Sequence, residues 1–154
     1  MEKLVKQLRR DYPSLTFVEG EVLCWSPAEG HIFYPSDDSP AALSGLFHEL
    51  AHAALQHRGY TTDLDLVRKE MLAWQAASRI ADSYDVQIDS EHAQDCLDTY
   101  RDWVFKRSRC PHCNSSGLQS ANLRYACLNC QHTWGVSASR FCRPYRLSKN
   151  RAAA

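Results

Sequence analysis

Apolar residues recur at helical spacing in three long stretches and crowd into short runs near the start of the chain. Leu4, Val5 and Leu8 line one side of a short amphipathic segment over residues 2–10. Runs rich in β-branched and aromatic residues follow at 15–18, 22–25 and 31–34. Glu19-Gly20 and Pro27-Ala28-Glu29-Gly30 separate them as turns, which predicts a small antiparallel sheet. Ser39 then caps a helix with Pro40 in its first turn. This helix is expected to run to about Arg58, before Gly59, with Leu43, Leu46, Phe47, Leu50 and Ala54 as its core stripe. Thr62 and Asp63 open a second long helix over about 64–83, with Leu64, Val67, Met71, Trp74, Ala77, Ile80 and Ala81 inward. A third, over about 90–106, turns Ala93, Cys96, Leu97, Tyr100, Trp103 and Val104 inward. Past Lys106 the helical period stops. The pattern predicts an α+β body, a small sheet with about four helices, over residues 1–106. A small module over 107–147 and a tail over 148–154 follow.

The size suits that division. The 154 residues are 44% hydrophobic and 23% charged, the mix of one globular domain with a small appendage. No apolar run reaches membrane-spanning length, and the first ten residues lack the uncharged core of a secretory signal. A cytoplasmic protein with no membrane partner is expected. Net charge is zero, yet all 18 acidic residues lie at or before Asp102. The chain from Lys106 onward holds nine basic residues and no acidic one: Lys106, Arg107, Arg109, Arg124, Arg140, Arg143, Arg146, Lys149 and Arg151. The basic part should face either a polyanion or the acidic body.

The first long helix carries His48-Glu49-Leu50-Ala51-His52. Residues four apart on a helix lie one above the other, so both imidazoles can reach one ion. Glu49 leaves the helix at another angle, where a carboxylate can take a proton from a water activated by zinc. The core stripe lies roughly 130–170° round the helix from the two histidines, so another element must cover them. A catalytic zinc takes three protein ligands. Glu70, set among Val67, Met71 and Trp74 on the next helix, is the preferred third. A carboxylate among apolar neighbours needs a partner. His57 is the rival. On a straight helix it would point about 140° away from His52, which favours a supporting role beside the ligands.

The run His48-Glu49-Leu50-Ala51-His52-Ala53-Ala54-Leu55-Gln56-His57 resembles the HELGHxxLxH signature of the ImmA/IrrE metallopeptidases. Glu70-Met71-Leu72-Ala73-Trp74-Gln75-Ala76-Ala77 is similar in spacing to the E-x-x-A-x-x-F-A helix that gives the third zinc ligand there. Ala51 stands where that family has glycine, and Ala76 where it has phenylalanine. Residues 33–103 are also similar to the zincin-like domain of ArdC-type antirestriction proteins, with Tyr100 and Trp103 matching a tyrosine and tryptophan on a later helix. The resemblance implies a zincin-like core, Glu49 as general base, and hydrolysis of a peptide bond in a protein or peptide substrate. An oxyanion donor is then expected, with His57, Tyr34, Tyr60 and Tyr84 as candidates.

Cys110-Pro-His-Cys113 and Cys127-Leu-Asn-Cys130 have the spacing of a tetrahedral Cys₄ site, which resembles a zinc ribbon. Four thiolates close the coordination shell, so this second zinc should be structural. Cys24, Cys96 and Cys142 stand apart. The module also mixes cations with aromatics: Arg124, Tyr125, Trp134, Arg140, Phe141, Arg143, Tyr145 and Arg146. Such a surface can neutralise phosphates and stack on bases, so Arg124, Arg140, Arg143 and Arg146 are candidate nucleic-acid contacts. Two functions are therefore open. One is a zinc endopeptidase acting on a regulatory or nucleic-acid-associated protein. The other is a DNA- or RNA-binding antirestriction or regulatory protein whose zincin body is a scaffold or latent protease.

Overall fold

The computed structural model describes residues 1–138 and the backbone of residues 147–148. The chain forms two compact units, Met1–Gly59 with Arg68–Leu97, and Tyr60–Val67 with the chain from Asp98 onward. The second unit thus includes two helical segments that a boundary at residue 106 assigns to the body. The fold is α+β. Among the described residues, no helix is long and apolar enough to cross a membrane.

The first unit begins with α1 (Glu2–Asp11), which buries Val5 and Leu8. Three short strands follow: β1 (Thr16–Glu19), β2 (Cys24–Ser26) and β3 (His31–Tyr34). Their order is β1-β3-β2, and the sheet is mixed rather than antiparallel. The parallel pair is β1 with β3, since β2 lies between them in the chain and fills the other side of β3; at the tight 27–30 turn, Gly30 at φ +71° donates its N–H to the Ser26 carbonyl at 2.9 Å. That turn makes β2 and β3 a hairpin, with Trp25 opposite Ile32. β1 takes the other side of β3 and runs parallel to it, Phe17 beside Ile32.

α2 (Pro40–Ala54) packs against β2 and β3. Ser39 caps it as expected, its side chain accepting from the Ala42 N–H at 3.3 Å. The helix stops earlier than its apolar pattern suggests. Gln56 adopts left-handed φ +54°, which turns the chain before His57. The helix is buried at Ala42, from Ser44 to His48, and at Leu50, Ala51 and Ala53, while Ala54 of the expected stripe is exposed.

α3 (Asp63–Asp82) and α4 (Ser90–Ser108) each lend residues to both units. The buried face of α3 differs from the expected one. Leu64 and Met71 are exposed, while Leu66, Glu70, Ala73, Trp74, Ala76, Ala77 and Ala81 are buried. The stripe is carried mostly by alanines, which pack closely but stand out little in a hydropathy pattern. It includes Glu70 because that carboxylate has partners. At the start of α4, Asp89 accepts from the backbone N–H groups of Glu91 and His92 at 3.0 Å, and its own N–H donates to Ser44 Oγ at 3.0 Å.

In the second unit, β4 (Gly117–Ala121), β5 (Arg124–Cys127), β6 (Thr133–Gly135) and β7 (Leu147–Ser148) form a four-stranded antiparallel sheet in sequence order. Tyr125, Trp134 and Val136 make its core with Cys110 and Cys127. Gly117 is needed there, since a Cβ would lie 2.4 Å from the Trp134 ring and 2.6 Å from the Ala126 carbonyl oxygen. A buried charge cluster ties the unit together. Arg107, fully buried, donates from Nε to Asp63 Oδ2 at 2.6 Å and from Nη1 to the Ser137 carbonyl. Tyr125 Oη donates to the same Asp63 carboxylate, and the Asp63 N–H donates to Gln119 Oε1 at 2.8 Å. The Arg107 guanidinium also lies 4.1 Å over the Trp103 ring.

Removing one member of such a pair strands the other charge in a dry interior. Asp63→Ala should therefore destabilise the second unit by about 3–5 kcal/mol. Asp63→Ala combined with Arg107→Met should recover part of that loss. Urea unfolding followed by tryptophan fluorescence measures both.

Candidate metal centres

Two groups of metal-ligating side chains converge, one in each unit. In the first unit, His48 and His52 project from one face of α2 and Glu70 from α3. His48 Nε2 lies 3.1 Å from Glu70 Oε2 and 3.1 Å from His52 Nε2, and His52 Nε2 lies 3.5 Å from Glu70 Oε2. The i, i+4 spacing stacks the two imidazoles on one side of the helix, their rings 4.5 Å apart and perpendicular. α3 covers them. The Trp74 indole stacks on the His48 ring at 4.2 Å, leaving His48 8% and Glu70 6% exposed. His48 Nδ1 and Trp74 Nε1 have no hydrogen-bond partner among the described residues, so ring stacking holds this side.

Burial opposes ionisation of Glu70. The hydrogen bonds and charges of His48 and His52 outweigh it and hold the carboxyl down to about 2. The site thus presents an ionised carboxylate and two imidazole nitrogens, a donor set suited to one divalent cation.

Glu49 stands outside this trio. Its Oε2 accepts the backbone N–H of Trp25, in β2, at 2.8 Å. Burial and the Glu49 charge push the neighbouring Cys24 thiol up. His57 is not in the converging group either. Because the chain turns at Gln56, its ring meets His52 instead of pointing away, with the two Nδ1 atoms 2.9 Å apart. The Trp25 indole N–H donates to the His57 carbonyl at 3.0 Å.

The other oxyanion candidates are less well placed. Tyr84 Oη donates to Asp11 at 2.9 Å, and burial together with that carboxylate pushes its phenol up. Tyr34 is buried in the core of the first unit, and Tyr60 belongs to the second.

Cys110, Cys113, Cys127 and Cys130 converge in the second unit, each ligand atom within 4.8 Å of the others. Cys110 and Cys130 Sγ lie 3.7 Å apart, and Cys113 and Cys127 Sγ 3.5 Å. These separations are far beyond a disulfide, and all four are free thiols. Backbone N–H groups point at the sulfurs, from His112 to Cys110 at 3.4 Å and from Cys130 to Cys127 at 3.5 Å. Hydrogen bonds from Ser115 hold the Cys113 thiol down, while burial and the three neighbouring thiols push that of Cys130 up. His112 and His132 stack on one another beside the cluster, with ring centres 5.8 Å apart.

Of the basic residues, Arg124 is exposed on β5. Arg109 lies over the Phe105 ring and hydrogen-bonds Asn114 at 3.2 Å. Arg107 is buried against Asp63. Arg140, Arg143 and Arg146 lie outside the described residues. Sequence periodicity misses Trp25, and it turns Trp74 inward without indicating that the indole meets His48. It also misses Asp63 and Arg107, which read as a helix start and one of many basic residues.

The two groups predict two metal ions per chain. Elemental analysis of purified protein should find one ion lost on Glu70→Gln, the other lost on Cys127→Ser, and neither retained in the double variant. Comparison of the chain with protein-family models, with curated proteins and with solved structures finds no match.

Proposed function

We propose that the protein is a zinc-dependent endopeptidase, with His48, His52 and Glu70 as ligands and Glu49 as general base. The observation that carries this reading is the triangle of donor atoms, with sides of 3.1, 3.1 and 3.5 Å. Ligands at about 2.0–2.1 Å round a tetrahedral zinc stand about 3.3–3.4 Å apart. The triangle has nearly that size, and three protein ligands leave a fourth position open. Held by these three residues, zinc would supply a Lewis acid for a carbonyl and would lower the pKa of a water to about 7.

The remaining work falls to the chain. The Trp25 N–H fixes Glu49 Oε2, which leaves Oε1 to take the proton of the attacking water and return it to the leaving amine. The hydrogen bonds and charges of His48 and His52, acting against burial, keep the Glu70 carboxylate charged. The Trp74 ring excludes water from one side of His48. The substrate class that fits this chemistry is a protein or peptide.

The sulfur spacings of 3.5 and 3.7 Å support a structural zinc in the second unit, as in a zinc ribbon. Zn–S bonds of about 2.3 Å place tetrahedral thiolates about 3.8 Å apart. The nucleic-acid reading has less support. Of the four basic residues in 106–138, Arg107 is neutralised by Asp63. A Zn(Cys)₄ centre would itself carry about −2.

Glu49→Gln should keep both zinc ions and lose about 10²–10⁴ in peptide hydrolysis, the usual worth of a general base. Peptide-library cleavage read by mass spectrometry, with zinc content measured on the same sample, tests this. Undiminished cleavage in that variant would remove Glu49 from the mechanism.

A further inference from the structure

His57 brings a further imidazole up to His52. Its Nδ1 lies 2.9 Å from His52 Nδ1, close enough for a hydrogen bond between two neutral rings only if one nitrogen donates and the other accepts. His52 Nε2 faces His48 and Glu70. To bind a cation that nitrogen must be unprotonated, so the ring proton sits on Nδ1 and His57 Nδ1 accepts it. The rings meet edge to face, with centres 5.0 Å apart.

The backbone around His57 holds it for this role. The left-handed Gln56 reverses the chain after α2. The His57 N–H then donates to the His52 carbonyl at 3.0 Å, and the His57 carbonyl accepts the Trp25 indole N–H at 3.0 Å. Trp25 also gives its backbone N–H to Glu49. One strand residue thus fixes both the base and the ring that supports a ligand.

We infer that His57 is a positioning residue that selects the ligating tautomer of His52 and fixes its ring, anchored by the indole of Trp25. The inference rests on the zinc site proposed above. It does not depend on what that site hydrolyses.

The test is metal affinity in the full chain, measured by chelator competition, with the Cys₄ cluster as internal control. His57→Leu keeps bulk but has no acceptor. His57→Asn places an amide oxygen near the position of Nδ1. Lost outer partners of metal ligands cost about 10–100-fold in affinity. His57→Leu should therefore weaken zinc binding at the His48/His52/Glu70 site by that factor and leave the Cys₄ site unchanged. His57→Asn should restore affinity to within about threefold of the wild type. Cobalt(II) in the same site should show visible bands altered in the leucine variant and restored in the asparagine variant. Equal affinities in all three proteins would overturn the inference, as would equal weakening in both variants. A wild-type chain that binds metal only at its cysteines would overturn the zinc reading itself, and this inference with it.

Discussion

An ionised carboxylate in a protein interior is costly unless something compensates its charge, and Glu70 is such a group. Its compensation comes from two imidazoles one helical turn apart on α2. This single requirement explains several features at once. It turns α3 so that the face bearing Glu70, Ala73, Trp74 and Ala77 is inward, leaving Met71 outside. It brings Trp74 flat against His48.

The parts legible in the sequence are those written in local chemistry. The His48–His52 spacing, the Ser39 cap, the hairpin turn at 27–30 and the paired cysteine knuckles each depend on residues a few positions apart. The triangle with Glu70 follows from a different kind of clue, a charge where an apolar residue would be easier to bury. The illegible parts depend on what meets across the fold. Alanine gives too weak a hydropathy signal to reveal the rotation of α3. Nothing near Trp25 indicates that its two N–H groups would serve Glu49 and His57, which lie 24 and 32 residues away. The end of α2 is a smaller case. Gln56 has no obvious tendency toward a left-handed backbone, so a straight continuation to Arg58 is the natural expectation, and it misdirects His57.

The second unit shows the same contrast in charge. Counted along the chain, every formally charged residue past Lys106 is cationic. In space, Arg107 is enclosed with Asp63, Tyr125 and the Ser137 carbonyl, and its guanidinium rests on Trp103. A linear tally treats that arginine as surface charge, whereas it forms part of the interior. Cys110 follows Arg107 by three residues, and Cys110 and Cys127 share a core with Tyr125 and Trp134. Metal binding and packing would then reinforce each other in a unit too small to rely on apolar contacts alone.

β2 borders its sheet, and a border strand normally exposes free amide and carbonyl groups to which a stray polypeptide can add. Here the amide of Trp25 is already occupied by a side chain from α2. An intruding chain could pair at that position only by displacing Glu49. The contact that orients the carboxylate therefore also guards the strand against self-association.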